Sequence, residues 1–231
     1  MSTNLAQQLR EGTTKSHSMA ENVSFVKSFL GGVVDKKSYR QLVANLFFIY
    51  EAIEEQIEKN KDNLCVNAIY FPELYRKESL MRDLNYYYGS NWINEIEPSS
   101  ATQVYVDRIH QIGYSNPELL IAHSYTRYIG DLSGGQILKK IAQNAMQLPN
   151  NKGTSFYDFE LIDNEKLFKD VYRESLNNIP LDNKQIDQII TEANIAFNLN
   201  MKIFQELNSN LIKIMLMLLI SSINNFRKKF S

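Results

Sequence analysis

The chain has 231 residues, of which 44% are apolar and 22% are charged, and its formal net charge is −1 at pH 7. This length can bury a sizeable core as one domain, and the near-neutral charge argues against general nucleic-acid binding. The only cysteine, Cys65, excludes an intramolecular disulfide and an iron–sulfur cluster held by the chain's own thiolates. Glycine and proline are scarce and no strand-like alternation appears, so the sequence predicts an all-α protein.

The first predicted helix spans roughly 4–22, with an apolar face that includes Leu5 and Leu9. His17 lies at the edge of this face, and Glu21 follows one helical turn later. A metal-ligating imidazole usually donates its other N–H to an acceptor, and a carboxylate four residues on can be that acceptor. The spacing therefore indicates either a ligand-binding histidine or a core histidine with a satisfied hydrogen bond.

A long helix with an apolar stripe from Leu42 to Ile57 is predicted over 36–60, after a break at Gly31 and Gly32. It carries four acids: Glu51, Glu54, Glu55 and Glu58. Di-iron carboxylate sites combine such acids with Glu-x-x-His pairs, and this chain has none. We therefore expect a solvated acidic face.

One proline and one glycine mark further helix ends. Pro72 is predicted to begin a short helix and Gly89 to end another. His110 and His123 are expected to be structural, because no metal-ligand spacing links them.

A helix is predicted to begin at 116–118, where an asparagine cap precedes Pro117, and its pattern continues to Leu148. Near its middle is the run Gly130-Asp131-Leu132-Ser133-Gly134-Gly135. Each glycine in a helix interior costs about 1 kcal/mol relative to alanine. The run therefore indicates close packing, a bend, or room for a ligand against bare backbone, and the enclosed Asp131 favours the ligand. On a straight helix Gly130, Asp131 and Gly134 would share one face, and Tyr125 would face away from Gly134.

Three cations, Lys166, Lys169 and Arg173, recur on one side of a later helix, which indicates either carboxylate binding or a solvated basic face. Asp182 is predicted to cap the last long helix. The apolar stretch 211–223 is too short and interrupted for a membrane span, and the basic cluster 227–229 follows it. We expect no secretory signal and a single domain over 1–231, with a core at about 4–207 and a tail at about 208–231.

Several stretches resemble the haem oxygenase family. The sequence TTKSHSMAEN at 13–22 resembles the proximal helix of that family, and AHSYTRYIGDLSGGQILKKIA at 122–142 resembles its distal-helix signature. YFPEL at 70–74 and AFNLN at 196–200 also match, and the resemblance covers about 4–207. The opening residues and the tail are similar to the cyanobacterial and plastid branch. The resemblance implies a single-domain helical bundle that holds haem b between an N-terminal proximal helix and a glycine-bent distal helix.

The implied reaction opens haem to biliverdin IXα, carbon monoxide and ferrous iron, using O2 and electrons, with haem as both substrate and cofactor. In the photosynthetic branch ferredoxin supplies the electrons, and biliverdin passes to a bilin reductase for phycobilin synthesis. The implied location is the plastid (chloroplast stroma), plastid-encoded, or the cytoplasm of a photosynthetic bacterium, in either case for a soluble protein.

The resemblance also assigns roles by position. His17 matches the proximal iron ligand, and Glu21 matches the acid that orients its imidazole. Gly130 and Gly134 match the distal glycines whose bare backbone lets the helix approach the ligand, and Asp131 matches the acid that orders distal water and supports proton delivery. The residues that match the haem-holding positions are Arg10, Tyr125, Lys169 and Arg173 at the propionates and Phe197 in the pocket wall. Arg10 stands where many family members carry lysine.

Seven cations are expected to meet an acidic ferredoxin: Lys15, Lys27, Lys36, Lys37, Arg40, Lys139 and Lys140. Two other functions stay open. A non-catalytic haem carrier or sensor would fit the His17 segment but would not need Asp131. A thiaminase-like enzyme on a similar helical scaffold would need Cys65 as its nucleophile, although a buried inert thiol is the simpler expectation.

Overall fold

The computed structural model describes residues 3–149 and 152–207. All regular secondary structure within these residues is helical, as the sequence predicts. The α-helices are α1 (Leu5–Glu21), α2 (Ser24–Leu30), α3 (Lys36–Lys59), α4 (Leu64–Asn67), α5 (Lys77–Tyr88), α6 (Ser100–Ser115), α7 (Leu120–Ser124), α8 (Gly130–Met146), α9 (Glu165–Asn177) and α10 (Asn183–Glu206). Short 3-10 turns lie at Pro72–Leu74, Trp92–Asn94, Pro117–Leu119 and Ser155–Tyr157.

The predicted apolar stretch 211–223 and basic cluster 227–229 lie outside the described residues, and the single domain over 1–231 stays a prediction. None of the described helices is both long enough and apolar enough to cross a membrane.

Helix α3 forms the centre of the bundle and packs against α5, α6 and α7, while α10 packs against α1, α6 and α7. The apolar stripe predicted for α3 is buried along its whole length, from Leu42 through Ile49 and Ile53 to Ile57. Burial of each such side chain contributes about 1.5 to 3 kcal/mol, so this stripe is a main source of stability. The packing brings α1, α9 and α10 alongside the segment that contains the glycine run.

The predicted helix ends at Asp182, Pro72 and Gly89 are confirmed. The predicted cap at Asn116 is wrong, because its side chain makes no capping hydrogen bond and a 3-10 turn follows it. Asp182 accepts a hydrogen bond from Gln185 N at 2.8 Å, and the Gln185 side chain accepts from Asp182 N, which completes a capping box. Pro72 occupies the first turn of a 3-10 segment. Gly89 follows α5 with φ +82°, a conformation that favours glycine.

The segment that contains the glycine run is continuous but irregular. After α7 the chain makes a π-helical turn at Tyr125–Ile129, and α8 then runs from Gly130 until Gln147 ends it with a left-handed φ of 49°. The irregular turn thus lies directly before the first glycine. A π turn adds one residue to the turn, so it changes which face the residues before it present relative to those after it.

The acidic face predicted for α3 needs one correction. Glu51, Glu55 and Glu58 are partly or fully exposed, but Glu54 is buried, with 7% of its surface accessible. Its carboxylate accepts hydrogen bonds from the backbone N–H groups of Arg76 and Lys77 at the start of α5. Burial, opposed by those hydrogen bonds and by both cations, raises the pKa of Glu54 to about 7. Within the described residues, no group of three or more His, Cys, Asp or Glu side chains is placed to hold a metal ion.

Candidate active site

Helices α1, α8, α9 and α10 and the π turn enclose a cavity of about 530 Å³, referred to below as the main cavity. Six residues that the sequence singles out line it: Arg10, His17, Tyr125, Gly130, Arg173 and Phe197. The other lining residues are Ala6, Thr13, Thr14, Thr126, Ile129 and Ser133. The fold therefore collects candidate site residues that lie as far apart as 10 and 197 in the chain.

His17 forms part of the α1 wall of the main cavity. Its side chain is 60% exposed, and Glu21 Oε1 lies 3.7 Å from its Nδ1. The Phe197 ring meets the imidazole edge-on, with the ring centroids 5.8 Å apart. The His17–Glu21 spacing read from the sequence thus places the carboxylate on the Nδ1 side of the ring, and the imidazole faces a cavity and not the core.

The three glycines of α8 face different surroundings. A Cβ added at Gly130 or Gly134 would meet no heavy atom within 4 Å among the described residues outside the helix's own backbone. A Cβ at Gly135 would lie 3.4 Å from the Tyr157 ring. Gly135 therefore packs against Tyr157, whereas Gly130 and Gly134 keep space open in front of bare backbone. Gly130 lines the main cavity, and Gly134 is not among its lining residues.

Tyr125 lies in the main cavity together with Gly130, because the π turn between them changes the phase of the helix. Burial raises the pKa of Tyr125, and the guanidinium groups of Arg173 and Arg10 oppose that shift. The tyrosine hydroxyl and the two guanidinium groups therefore share one rim of the cavity.

The basic residues of α9 are partly engaged. Arg173 Nη1 donates to Asp170 Oδ1 at 2.7 Å. Lys169 is not among the residues that line the main cavity, but its Nζ lies 3.5 Å from Ser133 Oγ on α8. Lys169 thus reaches across to the helix that carries the glycines, at a distance where the hydrogen bond is weak.

Asp131 faces a second, smaller cavity of about 120 Å³, away from the residues that line the main cavity. Arg127 and Leu138 line this second cavity with it, together with apolar and aromatic side chains that include Phe25, Leu42 and Phe156. The straight-helix expectation that Gly130 and Asp131 share one face is thus corrected. Consecutive residues on a helix point about 100° apart, so the two line different cavities on either side of the same turn.

Asp131 is held in a hydrogen-bonded group. The Tyr50 hydroxyl donates to Asp131 Oδ2, Arg127 Nε donates to the Tyr50 oxygen at 3.0 Å, and Arg127 Nη2 lies 3.6 Å from Asp131 Oδ1. Burial raises the pKa of Asp131, and Arg127 and the Tyr50 hydroxyl oppose that shift. The sequence did not identify Tyr50, because its position within the apolar stripe of α3 reads as core.

The network continues from Arg127 to Asn200, whose Oδ1 accepts from Nη1 at 3.0 Å. Tyr105 links Asn200 to His123, with its hydroxyl 3.5 Å from Asn200 Nδ2 and 3.2 Å from His123 Nδ1. His123 Nε2 lies 3.0 Å from Glu192 Oε1. His123 is fully buried in this network, so the prediction that it is structural is confirmed.

Glu192 ends the network next to Arg108, which donates to it from Nε at 2.9 Å and from Nη2. Burial raises the pKa of Glu192, but hydrogen bonds from His123 and Arg108 outweigh burial and bring that pKa to about 2. The carboxylate is therefore charged at every ordinary pH, which fixes this end of the network.

The profile of the family described as Heme oxygenase matches residues 3–206. The chain belongs to the haem oxygenase family. Haem oxygenase from Porphyra purpurea is 63% identical over 229 residues, which cover 99% of this chain and 97% of that protein. Haem oxygenase 1 from Synechocystis is 58% identical over 231 residues, covering 100% of this chain and 96% of that protein.

A solved structure supports the same assignment. The crystal structure of haem oxygenase-1 from the cyanobacterium Synechocystis, in complex with haem, superposes with a TM-score of 0.90 and 60% identity. The match covers 95% of this chain and 99% of that chain. The all-α fold predicted from the sequence is therefore confirmed as the haem oxygenase fold.

Cys65 lies outside the candidate active site. It lines neither cavity, and it is the thiol that the thiaminase-like alternative requires. Burial, together with the nearby Glu118, raises the pKa of Cys65, which disfavours the nucleophilic thiolate. The surroundings of Cys65 fit the inert thiol expected from the sequence.

Proposed function

We propose that this chain opens haem to biliverdin, carbon monoxide and ferrous iron, and that the main cavity is where haem binds. The observation that carries the proposal is the meeting of the His17 imidazole and the bare backbone of Gly130 in one cavity. The relative from Synechocystis whose structure is similar was solved in complex with haem. When bound, haem supplies the iron that activates O2 and the ring that is opened.

The residues of the main cavity fit a flat, mostly apolar ligand with two carboxylates. Phe197 and Ile129 supply apolar walls, while Arg10 and Arg173 supply guanidinium groups that pair with carboxylates. Thr126 Oγ1 is buried without a hydrogen-bond partner among the described residues, as expected of a group left next to a binding site.

The α1 side of the cavity holds the iron in this proposal. His17 would supply an imidazole as iron ligand, and Glu21 on its Nδ1 side would orient the ring. Arg10, Tyr125 and Arg173 would hold the propionates at the rim of the cavity, and Lys169 would reach them from beside Ser133 on α8. With one imidazole as the protein ligand, the iron would be able to bind O2 next to Gly130.

The α8 side supplies shape and protons. Gly130 and Gly134 present backbone without a Cβ, which allows a close approach that directs the reaction to one edge of the ring. Asp131 faces the second cavity, so we assign it as the acid that delivers protons to this side through ordered water and not by direct contact. Burial raises its pKa and so favours its protonated form more than in an exposed aspartate. Tyr50 and Arg127 fix its orientation.

The direct test adds hemin, a reducing system and O2 to the full chain and measures biliverdin by absorbance and chromatography. We expect biliverdin from the unmodified protein. In Asp131→Ala we expect unchanged haem uptake with ring opening slowed at least about tenfold, because a positioned acid contributes on the order of 10² to 10⁴ in rate. Asp107→Ala, which removes an exposed acid, is the control and should change neither haem uptake nor the rate of ring opening. Recovery of intact haem after turnover conditions would favour the carrier or sensor.

We further propose that ferredoxin donates the electrons and that a bilin reductase takes the product. Of the seven predicted docking cations, five are exposed: Lys15, Lys27, Lys36, Lys37 and Lys140. Lys139 must be removed from the set, because its Nζ is ion-paired with Asp158 Oδ1 at 2.6 Å and its side chain is only 13% exposed.

Two cations of this set, Lys36 and Arg40, lie over aromatic rings. Lys36 Nζ lies 5.3 Å from the centre of the Tyr86 ring, and the Arg40 guanidinium lies 5.0 Å from that of Tyr88.

With reduced ferredoxin as donor, the rate of biliverdin formation should fall steeply as the salt concentration rises, since the Debye length shortens to about 8 Å at 0.15 M ionic strength. A rate that does not depend on salt would contradict this docking proposal.

We place this activity in residues 4–207 as one domain, with 208–231 as a tail. The location we propose is the chloroplast stroma, or the cytoplasm of a photosynthetic bacterium, where ferredoxin is present.

A further inference from the structure

Helices α1 and α10 approach each other closely beside the main cavity. A Cβ built at Gly12 of α1 would lie 2.5 Å from Ile190 Cγ2 on α10. Real side chains do not tolerate that separation, and the clashing atom belongs to a stiff, β-branched side chain. Glycine at position 12 therefore permits an interhelical distance that any other residue would increase. This contact lies five residues before His17.

Asn194 of α10 connects the same two helices. Its Nδ2 donates to Gly12 O at 3.1 Å, and its Oδ1 accepts from Ser16 Oγ at 2.5 Å. Nδ2 also donates to Ile190 O within α10 at 2.9 Å, which fixes the orientation of the amide. One side chain thus binds both the backbone and a side chain of α1, and Ser16 immediately precedes His17.

Little else fixes the His17 ring. The side chain is 60% exposed, and its described contacts are Glu21, from the same helix, and the edge of the Phe197 ring. The location of the imidazole therefore follows from the location of the α1 backbone. Phe197 stands about one turn after Asn194 on α10, so the connection that holds α1 also sets the aromatic wall beside the imidazole.

We propose that Asn194 is a positioning residue: with Ser16 and Gly12 it fixes the separation of α1 and α10 and so directs His17 into the main cavity. The consequence for haem rests on the proposed function, in which His17 is the iron ligand. The placement of the ring can be measured without haem.

The first measurement uses the unliganded full chain. The chain has 3 histidines, so their ring C–H signals can be resolved by NMR. In Asn194→Leu, which keeps the size of the side chain and removes its hydrogen bonds, we expect the His17 signals to shift and the contact between the His17 and Phe197 rings to weaken. The signals of His110 and His123 should not move. Asn198→Leu, an exposed position one turn further along α10, is the matched control and should leave all three unchanged.

The second measurement loads the same variants with haem and follows its transfer to an excess of apomyoglobin. Asn194→Leu should lose haem about fivefold faster, the effect of one or two net hydrogen bonds. Ser16→Ala, which removes one hydrogen bond and is the milder change, should shift both readouts in the same direction by a smaller amount.

The outcomes separate the two claims. Unchanged His17 signals in a folded Asn194→Leu protein would overturn the positioning role, and so would shifted signals with an unchanged rate of haem loss. If the unmodified protein took up no haem, the proposed function would fail, while the NMR measurement would still decide whether Asn194 places the ring.

Discussion

The two sides of the helical segment 120–146 are built in opposite ways. On the main-cavity side the key group, His17, is 60% exposed and has few contacts, whereas on the other side Asp131 is 12% exposed and is held by Tyr50 and Arg127. A binding group that must meet a large ligand has to stay accessible, so its position depends on its helix. A group that handles protons gains from burial, because burial shifts its pKa and fixes its orientation. The contrast predicts that substitutions on the first side affect ligand binding and that substitutions on the second affect stability and pH dependence.

The largest effect is expected for His17→Ala, which removes the only protein group proposed to bind the iron. Biliverdin formation should fall on the order of a thousandfold or more, since loss of an indirect support of a metal ligand already costs about 10- to 100-fold. The absorbance spectrum of the haem complex should change, and added imidazole should restore part of it. Because the side chain is exposed, the free energy of unfolding without haem should change by less than about 0.5 kcal/mol.

His110→Ala is the matched control for this prediction. His110 is also exposed and also has a glutamate nearby, with Nε2 3.7 Å from Glu55 Oε2, but it lies on α6, away from both cavities. The His110→Ala protein should bind and convert haem like the unmodified chain. If His17→Ala kept an unaltered haem spectrum without added imidazole, another residue would have to be the ligand.

The prediction that buried groups affect stability and pH dependence is best tested at Glu54 of α3, whose folded-state pKa is about 7. An unfolded glutamate has a pKa near ~4.3, so between these values the folded state binds more protons than the unfolded state. The contribution of Glu54 to stability is therefore greatest below pH ~4.3 and decreases by about 3 to 4 kcal/mol as the pH rises through 7. Glu54→Gln should remove this decrease from the curve of unfolding free energy against pH.

Glu55→Gln provides the comparison, because Glu55 is the next residue on α3 but is exposed. Its substitution should leave that decrease in place. The free energy of unfolding of the unmodified chain and of both variants is measured without haem, by denaturant unfolding at a series of pH values. A Glu54→Gln protein that still lost the same stability between pH 5 and 8 would show that a different group titrates there.

The sequence predicted the features that depend on local chemistry. Asp182 acts as a cap because its side chain reaches an N–H group three residues away, and the His17–Glu21 pair needs only the period of a helix. The apolar stripe of α3 likewise follows from periodicity. The resemblance in the glycine segment supplied the fold and family, which the comparisons then confirmed.

Features that depend on several helices could not be predicted in this way. Tyr50 reads as a core residue of α3, and only the packing of α3 against the segment after α7 brings its hydroxyl to Asp131. Glu54 reads as one of four similar acids, and only the start of α5 makes it a buried cap. Nothing in the sequence marks Gly12 as a point where α1 and α10 come close together.

The smallest predicted effect compares two glycines of α8 and so tests the division between packing and open space. Gly130→Ala and Gly135→Ala should each gain up to about 1 kcal/mol of stability from helix propensity, because neither Cβ meets a neighbour closer than ordinary contact. Only Gly130 lines the main cavity, so only Gly130→Ala should weaken haem binding, by about tenfold, as a methyl group forced into a filled contact costs about 1 to 3 kcal/mol. Thermal unfolding without haem and haem titration of both variants measure the two quantities. Equal haem affinity in the two variants would mean that the bare backbone at Gly130 does not touch the ligand, and the distal wall would have to be sought elsewhere along α8.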